Sequence, residues 1–541
     1  MVRKLSLKLG RKSEKEKKPK KKPVEKPLET LIEKPAAKPF EGAPTPPPPT
    51  SIEVYPINEP YAYAAITKDP KTQETKYVII EPTLSEEEKA ITDRIKEILV
   101  DELDLNLKAL ETKQGAEEYI KNKIREVVKK YKIKVDETSL NKLMYFLWRD
   151  FVYLGKIEAL MRDHQIEDVS CDGVGIPLYV WHRAYESIPT NIAFYTQDEL
   201  NDFIIKLAYA SGRHASIAQP IVDSALPDGS RVHLTYSTEV TRKGSTFTIR
   251  KFRVEPLTIS DLIMMNTLSS EIAAYFWFLI EHKASVLIAG GTASGKTTFL
   301  NCLAGFIRPD MKIVSIEDTP ELNLLHENWI QSITRTGFGL AGESSSVEIS
   351  LFDLLKGAMR QRPDYVIVGE IRGAEAYTLF QAIATGHGGI SSMHADSISS
   401  VIHRLESEPM NIPRTLVTGM DAVALLNRIT LGDKPVRRTF AVGEVVGLDQ
   451  RSGELLTNDV YRWNPQNDSF AYTGRSYIAE KIMKRRAYSF DYINKNIQQR
   501  KVILDWMAKN KIREHKEVSQ IIRDYYSDPA KLYERARQGL A

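Results

Sequence analysis

Residues 290 to 297 read Gly-Gly-Thr-Ala-Ser-Gly-Lys-Thr, which fits the spacing G-x-x-x-x-G-K-[ST]. Each residue type has a task in such a loop. Gly290, Gly291 and Gly295 let the backbone N–H groups of Thr292, Ala293 and Ser294 turn inward on a polyphosphate, and the helix that follows aims the positive end of its dipole at the same anion. Lys296 reaches the terminal phosphates. Thr297 offers its hydroxyl to a Mg²⁺ ion held otherwise by phosphate and water, and Thr298 continues the first helical turn. The chemistry served by this pattern is phosphoryl transfer from a polyphosphate with Mg²⁺.

Phosphoryl transfer also needs carboxylates at the same end of a sheet. The apolar run Ile313-Val314-Ser315-Ile316 ends at Glu317-Asp318-Thr319-Pro320-Glu321, and an acid at the carboxyl end of a parallel strand stands where ligands bind and where a water can be oriented or deprotonated. A further run, Tyr365 to Val368, lies between Asp364 and Gly369-Glu370. Extended chain separates those two acids by about 20 Å. Glu370, not Asp364, is therefore the acid expected near Mg²⁺, with Arg372 beside it. His387 in Thr-Gly-His-Gly-Gly and His394 in Ser-Met-His-Ala-Asp are expected around one further strand end, as a phosphate sensor or a coupler between subunits. Arg213, Arg231, Arg250 and Arg253 flank strands of a preceding module and are candidates to meet a phosphate.

Positioning these groups requires a strand at Val286 to Ala289, a loop at Gly290 to Gly295 and a helix from Lys296. Upstream, Leu178 to Trp181, Arg231 to Tyr236 and Phe247 to Phe252 read as strands, Thr196 to Ser211 as a helix with a Thr196/Glu199 capping box, and Pro227-Asp228-Gly229 as a turn. Pro256-Leu257-Thr258 is the expected hinge. Ser85 to about Asp163 carries apolar stripes at helical spacing and reads as a three-helix module suited to docking. Before it, Met1 to about Pro82 is rich in lysine and proline and reads as an unfolded basic tail. Ile52 to Ile80 is the part of it expected to add a strand or two to the body.

Composition bounds the function. The chain of 541 residues allows three or four domains, and its 75 basic and 71 acidic side chains leave a net charge of only +4. No global field favours nucleic acid, and no aromatic-basic stripe marks a strand-binding channel. The cysteines are two, Cys171 and Cys302, which excludes a disulfide framework and a four-cysteine zinc site. The longest apolar run, around Ile272 to Ile280, is too short to span a bilayer, so any membrane contact is expected to be peripheral. The basic tail suits an anionic membrane surface or serves as a plain linker.

The phosphate loop, the acidic box at Glu317 to Glu321, Gly369-Glu370 and the histidine box at His387 and His394 occur in the order found in the secretion ATPase superfamily of type II and type IV secretion and pilus motors. Ile166 to Pro177, Trp181-His182-Arg183 and Ser187 to Asn191 resemble its archaeal branch, and within that branch the chain is most similar to the archaellum motor ATPases. The resemblance implies an α/β fold: a RecA-like C-terminal ATPase domain behind an N-terminal helical bundle and a small α/β domain. The implied divisions are a tail at 1–82, a helical bundle at 83–163, an α/β module at 164–255, an ATPase core at 256–437 and a hairpin with a helical appendage at 438–541. It further implies a cytoplasmic homo-hexamer, peripheral at the inner face of the cell membrane. Its partners are a polytopic membrane platform protein and a regulatory ATP-binding protein, with no nucleic acid. Carried over by position, Gly290 to Thr298 bind ATP, Glu317 activates water, Thr297 and Glu370 hold the metal, His394 belongs to the catalytic set, and Arg231 and Arg250 stabilise charge from a neighbouring subunit. The implied work is assembly and rotation of the archaellum, or assembly of a pilus or secretion system.

Overall fold

The computed structural model describes residues 48–102, 113–252, 255–335, 349–432 and 434–540. The chain forms two compact units, one of residues up to His164 together with Tyr185–Ile192, the other of Gln165–Ala184 and Ala193–Ala541.

In the first unit the strands Ser51–Asn58, Ala62–Lys68 and Thr75–Ile80 form an antiparallel meander. Three strands thus replace the strand or two expected there. The part of the expected tail from Ser51 to Ile80 is therefore folded, because Ala62 to Ile66 are buried and supply an apolar face, while residues 1–47 of that tail lie outside the described residues. The first helix, Glu86–Glu102, opens on the expected box, with Glu88 N–H on Ser85 Oγ and Ser85 N–H on the Glu88 carboxylate. It packs with Lys113–Lys130 and Glu137–Phe151 through Ile95, Leu99, Ile124, Val127, Leu143 and Leu147. The third helix begins at an Asp136 cap, whose carboxylate accepts from Ser139 N–H.

The second unit opens with an antiparallel sheet in the order Pro177–His182, Ile166–Cys171, Thr246–Arg250, Arg231–Thr235, Ile221–Ala225. Helix Gln197–Ala210, capped by Thr196, belongs to the same module. Arg253 and the link at 253–254 lie outside the described residues. Within the expected hinge, Thr258 caps helix Ile259–Met264 in a reciprocal box with Asp261.

The larger sheet of this unit runs Trp329–Ile333, Ile313–Glu317, Tyr365–Val368, Gly388–Met393, Val286–Gly290, Ala422–Leu431, all parallel. Its central strands are buried throughout, as expected of a parallel sheet covered on both faces. The sheet then continues antiparallel through Lys434–Leu448, Leu455–Asn464 and Ser469–Tyr472. The hairpin expected as an appendage at about Arg438 to Tyr472 is therefore part of the larger sheet itself, since its backbone donors and acceptors pair with Ala422–Leu431. Helix Ser270–Glu281 is buried from Ile272 to Ile280 because it lies under the C-terminal helices Phe490–Lys509 and His515–Ser527, with Trp277 stacked on Phe306 at 5.0 Å and against Tyr525 at 4.8 Å. Among the described residues no helix is long and apolar enough to cross a membrane.

Candidate active site

Sheet register brings the chemistry to one edge. Ala289 pairs with Met393, Ile316 with Val368, and Val368 with Ser391, so Gly290, His394, Glu370 and Glu317 all emerge within about one residue of a common level. His387, in contrast, precedes strand Gly388–Met393 and stands at its opposite end, with its Nδ1 3.0 Å from the Ala382 carbonyl. The two histidines expected around one strand end are thus separated by the length of that strand, about 20 Å. Only His394 belongs to the site.

The loop has the shape its sequence requires. A Cβ on Gly290 would stand 2.4 Å from the Leu426 carbonyl oxygen, a collision that only glycine avoids, and Gly295 has φ +91° where it starts helix Lys296–Ala304. Among the described residues, the backbone N–H groups of Gly291, Thr292, Ala293 and Gly295 are given to no carbonyl of the chain, and that of Ser294 meets Gly291 O only at 3.4 Å. Such a row of unclaimed donors above a helix N-terminus is an anion cradle. Lys296 Nζ rests on the carbonyls of Gly290 at 3.1 Å and Gly291 at 2.9 Å. Burial pulls its pKa below the usual lysine value against the opposing attraction of Glu370.

From Lys296 a chain of polar contacts crosses the edge. His394 Nδ1 lies 3.4 Å from Lys296 Nζ, and its Nε2 lies 3.4 Å from Glu370 Oε1. Burial, then Lys296, lower the His394 pKa, so the ring is neutral, and its partners assign the proton to Nε2. The other Glu370 oxygen accepts from Arg372 at 2.6 Å. Burial alone would raise the Glu370 pKa, but Arg372, His394 and Lys296 together hold it below the usual glutamate value. Ser392 Oγ donates to Gly369 O at 2.7 Å, and Arg404 donates to the His394 carbonyl, which fix the two strand ends.

Glu317 is buried, and both of its oxygens are engaged: Oε1 accepts from the N–H groups of Glu321 and Leu322, each at 2.9 Å, and Oε2 from Gln331 Nε2 at 2.9 Å. Desolvation outweighs those bonds and raises its pKa. Glu321, on the loop that Glu317 organises, lies 3.8 Å from Arg231. Arg250 stands opposite Arg231 in the ladder and pairs with Asp168 at 3.3 Å. The structure therefore brings Arg231 to the acidic loop of its own chain and leaves Arg250 on Asp168.

One group at this edge was not singled out by spacing. Arg437 donates from Nε to the Ala293 carbonyl at 2.9 Å. The pair Arg437-Arg438 inside an apolar strand is the signal, because neighbours on a strand face opposite ways and each must find its own partner. Arg438 finds Asp468, at 2.7 Å to each carboxylate oxygen.

Among the described residues no group of three or more His, Cys, Asp or Glu side chains could hold a metal by itself. A Mg²⁺ bound there would have to take most of its oxygens from phosphate and water.

Residues 177–518 match the family described as Type II/IV secretion system protein, and residues 39–83 match the PilB3-like N-terminal family. An uncharacterised protein of Methanocaldococcus jannaschii is 37% identical over 498 residues, covering 87% of this chain and 88% of that protein. The conjugal transfer protein TrbB of Rhizobium radiobacter is 32% identical over 204 residues, covering 37% of this chain and 59% of that protein. Among solved structures, the ATPase DotB of Yersinia pseudotuberculosis aligns with a TM-score of 0.40 at 16% identity over 72% of this chain and 93% of its own. The pilus retraction motor PilT with bound ADP aligns with a TM-score of 0.36 at 16% identity over 66% of this chain and 93% of its own. With residues 177–518, more than half of its length, matching that family, the chain belongs to the type II/IV secretion system protein family.

Proposed function

We propose that the protein is an ATP-hydrolysing assembly motor that works as a homo-hexamer at the inner face of the cell membrane, against a polytopic platform protein. The observation that carries this reading is the carboxyl edge of the large sheet, where unclaimed loop N–H groups, Lys296, Glu370, His394 and Glu317 converge. The loop N–H groups and Lys296 bind the polyphosphate, while Thr297 and Glu370 supply oxygens to the Mg²⁺ that neutralises it. Lys296 exchanges the carbonyls of Gly290 and Gly291 for phosphate oxygens, a stronger, charge-assisted bond. Glu317, with its raised pKa, takes the proton of the attacking water at Oε2 after releasing Gln331. His394 keeps Lys296 and Glu370 apart without adding charge.

The filament or substrate it serves is a separate matter. The PilB3-like match of residues 39–83 favours a pilus or secretion assembly over archaellum rotation. Capture of the full-length chain with its membrane partner distinguishes them, since each assembly has its own platform protein. The basic tail is proposed to meet an anionic membrane face, and its removal should abolish a salt-sensitive binding to anionic vesicles while leaving turnover intact.

Arg231 and Arg250 are proposed to stabilise the transferring phosphoryl group, and the Arg231 contact with Glu321 gives action within one chain a specific footing. Mixing decides between the two arrangements. If an arginine acts across subunits, inactive Arg231→Ala combined with inactive Lys296→Ala recovers part of the phosphate release. If it acts within the chain, mixed hexamers stay inactive. Absence of phosphate release by the unaltered chain with Mg²⁺ and ATP would refute the motor itself.

A further inference from the structure

Strands Ala422–Leu431 and Lys434–Leu448 reach past the phosphate loop: Gly290 pairs with Leu426, and Asn427 to Leu431 continue beyond it before the chain returns. On this overhang Arg428 and Arg437 stand directly opposite each other. Like charges so placed oppose pairing, so each needs its own partner.

Arg437 takes the phosphate loop. Its Nε holds the Ala293 carbonyl at 2.9 Å, and its Cδ lies 3.3 Å from where a Cβ on Gly295 would be. Ala293 has φ +58°, a conformation that alanine adopts at a cost, and a donor on its carbonyl fixes the rigid peptide plane that aims the Ser294 N–H. Arg428 takes an aromatic face: its guanidinium lies 6.0 Å from the centroid of Trp181, on strand Pro177–His182 of the antiparallel module. Trp181 pairs with Asp168, Asp168 with Arg250, and Arg250 with Arg231 in one row across that module.

We propose that the overhanging hairpin couples nucleotide occupancy to the placement of the antiparallel module. Arg437 grips the phosphate loop from outside, and Arg428 grips Trp181. A nucleotide that reshapes the loop then shifts the module bearing Arg231 and Arg250, and by linkage the module sets nucleotide affinity. Arg437 is on this account a positioning residue. The inference rests on the nucleotide-binding reading above.

The test is the affinity of the full-length chain for Mg·ADP, measured by titration calorimetry on variants whose melting temperatures match the unaltered chain. Arg437→Ala should weaken binding about tenfold. Arg437→Lys should recover part of the loss, since an ammonium still donates to the carbonyl. Trp181→Ala, which makes no contact with the loop, should weaken binding about threefold, and Trp181→Phe, which keeps an aromatic face, should not. Because both act through one hairpin, the double variant Arg437→Ala with Trp181→Ala should bind within about twofold of Arg437→Ala alone. Trp181→Ala at wild-type affinity, or single losses that multiply in the double variant, would overturn the coupling while leaving the nucleotide site standing. No binding by the unaltered chain would instead overturn the nucleotide reading and the coupling with it.

Discussion

The two ends of the large sheet are built from the same residue types and hold them in opposite ways. At the amino end each charge is locked: Asp364 accepts from Lys283 Nζ at 2.7 Å and from Lys312 N–H at 2.9 Å, and Asp421 accepts from Ser285 N–H at 2.9 Å and Lys481 Nζ at 3.0 Å. On the adjoining antiparallel strand, buried Glu444 takes Tyr275 OH at 2.6 Å, Ser476 Oγ at 2.5 Å, and the N–H groups of Tyr477 and Ile478. At the carboxyl end Glu317 and the Glu370–Arg372 pair are held as closely, but Lys296 rests on carbonyls and His394 stands 3.4 Å from both neighbours. A buried carboxylate with every lone pair filled is a fastening. A lysine on two neutral carbonyls beside unclaimed N–H groups has weak partners that an anion can replace.

The largest effect expected from this contrast is at the carboxyl end. Glu370→Gln and Glu317→Gln should lower kcat by about 10²- to 10⁴-fold while ATP remains bound and the melting temperature holds, because each keeps its shape and loses its charge. Single-turnover and binding measurements on the same preparations check this, and normal turnover in either would remove that residue from the chemistry.

At the fastened end the effect should fall on stability instead. Glu444→Ala strands a tyrosine hydroxyl, a serine hydroxyl and two backbone N–H groups in the interior, and should cost about 3–5 kcal/mol in chemical denaturation. The folded fraction should hydrolyse ATP at the normal rate per molecule. A kcat defect with unchanged stability would erase the distinction between the two ends.

The smallest effect is in the pH profile. The ordinary histidine pKa is 6.5, and that of His394 lies below it, so the ring stays neutral from there upward. Glu370 lies below the usual glutamate value, so its ion pair with Arg372 is present above the carboxylate range and is lost only as pH falls through the lowered pKa. Neither group should inflect kcat/KM, which reports the free enzyme, between about pH 6.5 and 8. An inflection in that window that disappears in His394→Gln would show the ring to be charged.

What was legible in the sequence was what chemistry forces locally. A strand, a glycine loop and Lys-Thr must be contiguous, and a carboxylate after an apolar run must sit at a strand end, so Lys296, Glu317 and Glu370 were placed by spacing alone. The expectation of both histidines at one strand end fails because Gly388-Gly389-Ile390-Ser391-Ser392-Met393, rich in glycine and serine, carries too little apolar pattern to mark a strand between them. That stretch is a buried strand whose serine hydroxyls bond to Val368 O and Gly369 O, partners remote in sequence. The same holds for Lys434–Leu448, whose pairing partner decides whether it is an appendage or part of the sheet. Arg500, wholly buried in a helix of the expected helical appendage, gives no local sign of its bond to Glu281 or its place 4.7 Å from the Tyr525 ring.

The central claim is that the carboxyl edge exists to exchange its present contacts for a polyphosphate. Phosphate release and Mg·ATP binding by the unaltered chain and by Lys296→Ala, compared at matched melting temperature, test it most directly. Release by the first and none by the second is expected, with the fold retained because Lys296 gives up only two carbonyl contacts and a long approach to His394. Equal release by both proteins would contradict it.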